Sequence, residues 1–136
     1  MNANAKPLAL GVDLGGSKIL TAAVNSAGAV LSRDYRLTPA DKGPEAVIQE
    51  ILKSADHAAK QAGIAIKDLT AIGVGVAGLS NPATGVVFTS PHLPGWHEVP
   101  LRDIIERESG KKTFLINDAN AAALGELYFD CLLYTS

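Results

Sequence analysis

Gly11-Val12-Asp13-Leu14-Gly15-Gly16-Ser17-Lys18 is flanked by two apolar runs, Leu8 to Val12 and Ile19 to Val24, each of strand length and composition. Asp13 to Lys18 therefore falls at the turn of a hairpin. Two adjacent glycines there let an anion approach backbone N–H groups with no Cβ in the way, and they tolerate φ values that swing successive N–H groups toward one oxygen. Ser17 adds a hydroxyl donor and Lys18 a positive charge. Asp13 repels a phosphate unless a cation such as Mg²⁺ lies between them, so the set points to a metal-bound nucleotide. Taken alone, the same residues also fit an ordinary hairpin turn with a solvated Ser-Lys pair. The P-loop pattern is absent, because a second strand rather than a helix follows the glycines.

Outward from this hairpin the chain alternates strands and helices. Ala29 to Arg36, with Val30, Tyr35 and Leu37 set around Ser32 and Asp34, adds a third strand after the turn Asn25-Ser26-Ala27-Gly28. Pro39 to Pro44 breaks the pattern. Glu45 to Gln61 then carries Val47, Ile48, Ile51, Leu52, Ala55 and Ala59 at helical spacing and ends at Gly63. Leu69 to Ala77 reads as a buried strand, Ser80 to Gly85 as a polar turn and Val86 to Phe88 as a short strand. Pro100 to Ser109 is a helix closed by Gly110, Thr113 to Ile116 a strand, and Asn117 to about Phe129 an alanine-rich helix. A meander followed by alternating strands and helices predicts a mixed sheet in an α/β domain.

Two further segments carry chemistry. Asn117-Asp118-Ala119-Asn120 follows a strand, where α/β sheets collect ligands. A carboxylate there can take a proton from a substrate hydroxyl, and an adjacent Asn can both donate to and accept from a polyol. Both residues are also ordinary helix N-caps. Thr89-Ser90-Pro91-His92-Leu93-Pro94-Gly95-Trp96-His97 is too rigid and aromatic for a simple linker, and Trp96 is expected as a packing anchor. His92 and His97 lack partners at metal-ligand spacing, and His57 is read as a surface residue. Gly73, Gly75 and Gly78 match G-x-G-x-x-G, but Leu79-Ser80-Asn81-Pro82 continues as a turn where a dinucleotide fold needs a helix.

Composition bounds the rest. The 136 residues are 47% hydrophobic with a formal net charge of −2, enough for one cored domain and without the basic patch of a nucleic-acid binder. Met1 to Pro7 lacks the features of a signal peptide and no apolar run has membrane length, so a cytoplasmic protein is expected. The single cysteine, Cys131, can form neither an internal disulfide nor a cysteine-rich metal site.

Three segments together, GVDLGGSK, GVGVAGLSNPATGVVFTSPHLPGWHEVPL and INDANAAALGE, resemble the ROK family of repressors, open reading frames and sugar kinases, in particular its glucokinase-like members. The resemblance runs from about Leu8 to Phe129. It implies an α/β lobe of the actin-like ATPase (ribonuclease H-like) fold, with a mixed sheet that starts in a three-stranded antiparallel meander and is flanked by helices. Residues 1–129 would be the first of two lobes that close over ATP and a hexose. By the same resemblance Asp13 would hold Mg²⁺ through water, and Gly15, Gly16, Ser17 and Lys18 would form the phosphate loop. Asp118 would take the proton of the attacking sugar hydroxyl. Asn117, His92 and the backbone around Gly78 would contact other sugar hydroxyls, with His92 standing where glucokinase-like members often have Asn.

The resemblance also sets limits. The family's second lobe, with its glycine-rich segment, adenosine pocket, remaining sugar ligands and zinc motif, has no room after residue 129, so the structural zinc is not possible in this chain. Residues 130–136 depart from the pattern and are expected to be non-native. An intact protein that is a homo-oligomeric ATP-dependent hexose kinase, with no nucleic-acid or membrane partner, is the leading expectation, the isolated chain being inactive. The sugar-sensing part of a ROK repressor is the runner-up, disfavoured because only ten residues precede Gly11 and none forms a basic helix. A sugar-binding fragment without catalysis is the third.

Overall fold

The computed structural model describes residues 7–25 and 28–116. In chain order these form β1 (Pro7–Leu14), β2 (Lys18–Asn25), β3 (Val30–Leu37), α1 (Pro44–Gln61), β4 (Ala71–Val76), β5 (Leu79–Asn81), β6 (Val86–Thr89), α2 (Leu101–Ser109) and β7 (Lys112–Ile116). β1, β2 and β3 are an antiparallel meander. β4 pairs parallel with the other side of β1, and β7 parallel with β4, giving the order β3-β2-β1-β4-β7. The expected mixed sheet of an actin-like, ribonuclease H-like lobe is thus observed. β5 and β6 form a separate hairpin.

The helices cover one face of this sheet. α1 begins with Pro44 at its first turn, where no N–H is needed, and buries Val47, Ile48, Ile51, Ala55, Ala58 and Ala59 against β1 to β3. Each of the three larger side chains contributes about 1.5–3 kcal/mol of burial, opposed by the entropy of ordering the helix. α2 adds Leu101 and Ile105 to the same core, which also takes Leu10, Val12, Leu14, Val74, Val76, Leu115 and the fully buried Trp96. All six residues of β4 are buried, as a parallel strand near the sheet centre requires. The opposite face carries smaller residues, with Ala9, Val24, Ala71 and Phe114 in a second apolar cluster. Among the described residues no helix is long and apolar enough to cross a membrane.

β3 lies where the sequence places it, but its faces carry unexpected residues. Tyr35 is 62% and Leu37 76% exposed, while Asp34 is 6% exposed against α1. The polar positions point inward because α1 presents polar partners to them. Ser32 Oγ donates to the Ala58 carbonyl at 2.6 Å, Arg36 Nη1 reaches Glu50 at 2.9 Å, and His57 Nδ1 bonds Asp34 Oδ1 at 2.5 Å. Arg36 grips both oxygens of Asp34, at 2.7 and 3.2 Å. Ser54 Oγ donates to Asp34 at 2.6 Å and lies 2.7 Å from Thr21 Oγ1, so the Thr21 hydroxyl donates in turn to Ser54. His57 is on the surface, as read, yet its ring is tied to a buried carboxylate.

Burial pushes the Asp34 carboxyl up, but the hydrogen bonds from Arg36, Ser54 and His57 outweigh it and hold the group well below the ordinary carboxylate range. A folded-state value below the unfolded one stabilises at pH above about 4 and loses that contribution as pH falls toward the folded value. Asp34→Asn is therefore expected to cost about 3 kcal/mol at neutral pH, because it removes the buried charge that Arg36, Ser54 and His57 are arranged around and leaves Arg36 with Glu50 alone. Denaturant titrations of both proteins check this: the deficit shrinks between pH 5 and pH 2, and equal midpoints at pH 7 would refute it.

Candidate functional site

Parallel pairing puts the carboxyl ends of β1, β4 and β7 on one edge of the sheet. The register sets Asp13 beside Gly75 and Gly75 beside Ile116, so the main chains at Asp13 and Ile116 stand two strand spacings, about 10 Å, apart. Ligands of α/β sheets collect at such an edge. Asn117 and Asp118, which follow Ile116, lie outside the described residues, as does the alanine-rich helix read after them.

The hairpin is tighter than its sequence implies. Val12 and Leu14 bury their side chains and carry β1 through Asp13, and β2 already starts at Lys18. Asp13 and Lys18 are therefore strand residues, and the turn is Gly15-Gly16-Ser17 alone. Neither glycine adopts the positive φ anticipated for it. At Gly16 the requirement is space, since a Cβ there would collide with the Cβ of His92 and lie 2.8 Å from its carbonyl oxygen. The Gly15 N–H closes the turn on the Lys18 carbonyl at 2.9 Å. Among the described residues, neither the Gly16 nor the Ser17 N–H meets an acceptor. Two successive N–H groups of this turn are thus left to donate outward. Lys18 extends over the outer face, its ammonium 5.3 Å from the Tyr35 ring centroid, rather than curling into the turn.

The second wall comes from the segment after β4. Gly78 has φ 129°, and a Cβ there would run into the Thr89 carbonyl and the Ser90 Cα, so the β5–β6 hairpin can fold back only onto glycine. Ser90 Oγ fastens this closure by donating to the Ala77 carbonyl at 2.7 Å. The next turn, with Leu93 N–H donating to the Ser90 carbonyl, sets His92 against Gly16. Trp96 anchors the loop below, fully buried, its Nε1 without a hydrogen-bond partner among the described residues. Leu79-Ser80-Asn81 is strand β5, so no helix opens after Gly78 and the dinucleotide-binding alternative is excluded.

Thus the glycine turn, Gly78 and His92, far apart in sequence, share one edge with Asp13 and the end of β7. Two supports of this site escaped the sequence reading, Ser90 and Thr38. Thr38 Oγ1 donates to the Gly15 carbonyl at 2.7 Å and its N–H to the Ser17 carbonyl at 2.9 Å. The available signal was its position before Pro39, which holds the preceding residue extended in line with β3.

Comparison with known proteins bears on the same residues. Residues 9–132 match the model of the ROK family. A glucokinase of Thermotoga maritima is 37% identical over 120 residues, which is 88% of this chain and 36% of that protein. A xylose repressor of Caldicellulosiruptor bescii is 31% identical over 120 residues, 88% of this chain and 30% of that one. The solved structure of a ROK family glucokinase from Streptomyces griseus, in complex with glucose and AMPPNP, superposes with a TM-score of 0.74 at 34% identity, over 85% of this chain and 35% of that one. The chain spans about a third of the length of these relatives.

The contact between Gly16 and His92 predicts a coupled pair. Gly16→Ala is expected to cost about 1–3 kcal/mol by overpacking. Adding His92→Gly removes one of the clashing atoms, so the double substitution should recover at least about 0.5 kcal/mol relative to the sum of the singles. A double-mutant cycle by chemical denaturation reads this directly, and strict additivity would show that the two segments do not touch.

Proposed function

We propose, from the premise that the chain belongs to the ROK family, that the intact protein is a glucokinase-like sugar kinase which transfers a phosphoryl group from ATP to a hexose hydroxyl. In this reading residues 1–129 are its first lobe. The observation that carries it is the contact of the glycine turn with His92 at the sheet edge from which the chain passes into Asn117 and Asp118. A phosphate-binding concavity and a polar, sugar-facing loop are what a phosphoryl transfer between nucleotide and polyol must bring together.

The residue types suit MgATP. Among the described residues there is no cluster of three or more His, Cys, Asp or Glu side chains. One carboxylate beside an anion-binding turn fits Mg²⁺, which keeps several waters and takes phosphate oxygens as ligands in place of an all-protein cage. When bound, MgATP supplies the transferable phosphoryl group and the cation that offsets its charge.

The chain's own residues then have distinct roles. Asp13 orients the water shell of the cation. Gly15 and Gly16 keep the turn open, the Gly16 and Ser17 N–H groups bind phosphate oxygens, and Lys18 adds positive potential from its place over Tyr35. Asn117, the Gly78 backbone and His92 hydrogen-bond sugar hydroxyls. Asp118 accepts the proton of the attacking hydroxyl as general base. These 136 residues supply one wall of the phosphate site, so alone they are expected to turn over negligibly, because stabilisation in such enzymes comes from groups closing on the phosphoryl from both sides.

A coupled ADP-release assay on the intact protein with glucose and other hexoses tests the proposal. Asp118→Asn should lower kcat by at least about 10²-fold while sugar affinity changes only a few-fold. Unchanged turnover would remove Asp118 as the base. A wild-type protein that binds glucose but releases no ADP would instead favour a sugar-sensing role, the class represented by the similar xylose repressor.

A further inference from the structure

We propose that Thr38 is a positioning residue for the phosphate turn, acting through the turn's carbonyls and not by touching the ligand; the inference rests on the kinase reading of that turn. Thr38 brackets Gly16 from both sides, its hydroxyl on the Gly15 carbonyl at 2.7 Å and its N–H on the Ser17 carbonyl at 2.9 Å. Among the described residues every peptide bond is trans. In a trans peptide the C=O and the following N–H point in opposite directions. Drawing the Gly15 oxygen toward β3 therefore turns the Gly16 N–H away from β3, on the side where no acceptor meets it.

Two physical effects follow. The first is conformational. Gly15-Gly16-Ser17 is glycine-rich, adopts no left-handed conformation that would restrict it, and has one internal hydrogen bond, Gly15 N–H to the Lys18 carbonyl. Left to itself, such a turn samples many states, and its ordering would be charged against ligand affinity. Tying the carbonyls on both sides of Gly16 does that ordering in advance. The second is electronic. A carbonyl that accepts a hydrogen bond polarises its peptide, so the Gly16 N–H becomes the stronger donor toward a phosphate oxygen.

Thr38 suits the task because it is itself held. Its β-branched side chain has few rotamers, Pro39 keeps its backbone extended, and β3 behind it is fastened to α1 through Asp34, Ser54 and His57. The position of the turn is thereby referenced to the helix layer. Valine at this position has the same shape and keeps the N–H bond but removes the hydroxyl; serine keeps the hydroxyl.

The experiment uses the intact protein with Thr38→Val and Thr38→Ser, and reads Mg-AMPPNP affinity by calorimetry, KM for ATP and for glucose, and the thermal midpoint. Thr38→Val is expected to weaken Mg-AMPPNP and raise the ATP KM by about 5–10-fold, the loss of one hydrogen bond, with the glucose KM within about twofold of wild type. Thr38→Ser should return both to within about twofold. A merely structural role would lower the thermal midpoint without this split between the two substrates. Wild-type nucleotide affinity in Thr38→Val, equal increases in both KM values, or failure of serine to rescue would each overturn the assignment while leaving the kinase reading intact. A wild-type protein that binds no Mg-AMPPNP would overturn both.

Discussion

Parallel pairing of β1 with β4 organises this lobe. An antiparallel partner could follow β1 through a tight turn, and β2 does so; a parallel one needs a crossover, and that crossover is α1. The same pairing buries β4 on both faces, which explains why Ala71 to Val76 carries no charged or polar side chain. It also aligns the carboxyl ends of β1 and β4, so Asp13, the glycine turn and the Gly78 segment meet at one edge. β7 repeats the arrangement and brings the chain to Ile116 at that edge.

The layer between α1 and β3 follows a different logic. Most of α1 packs by apolar contact, but its contact with β3 passes through Ser32, Asp34 and Arg36. Such a polar seam has directional bonds, and a helix shifted by one turn would leave the Asp34 charge without its Ser54 and His57 donors. Apolar packing supplies cohesion, while the buried carboxylate fixes the register of helix on strand. Because Thr38 extends β3 to the glycine turn, that register is passed on to the site.

The elements whose residues carry a strong local signal were legible in the sequence. The hairpin, α1, β4, α2 and β7 are set by apolar periodicity and by Gly or Pro punctuation, and each lies within a residue or two of its expected limits. The three-part resemblance led to the sheet type, and the family match bears it out. What escaped depends on contacts between distant segments. The apolar residues of β3 face outward because α1 offers Glu50, Ser54 and His57, which no pattern within β3 can reveal. The glycines of the turn pointed to an unusual φ, yet Gly16 answers to the Cβ and carbonyl of His92. Thr38 and Ser90 are hydroxyls in loops, ordinary until the carbonyls they hold are known.

The placement of β1 also bears on how the chain is made. Residues 7–37 can assemble as a meander soon after they leave the ribosome, since their contacts are local. The partner on the other side of β1 arrives much later, Ala71 pairing with Ala9 about 60 residues down the chain. During that interval the strand destined for the middle of the sheet is an edge, its N–H and C=O groups on the β4 side unpaired even once α1 has covered Leu10, Val12 and Leu14. The order of synthesis therefore opens a window of aggregation risk that closes only with β4, and a nascent chain stalled before residue 71 is the species most in need of a chaperone.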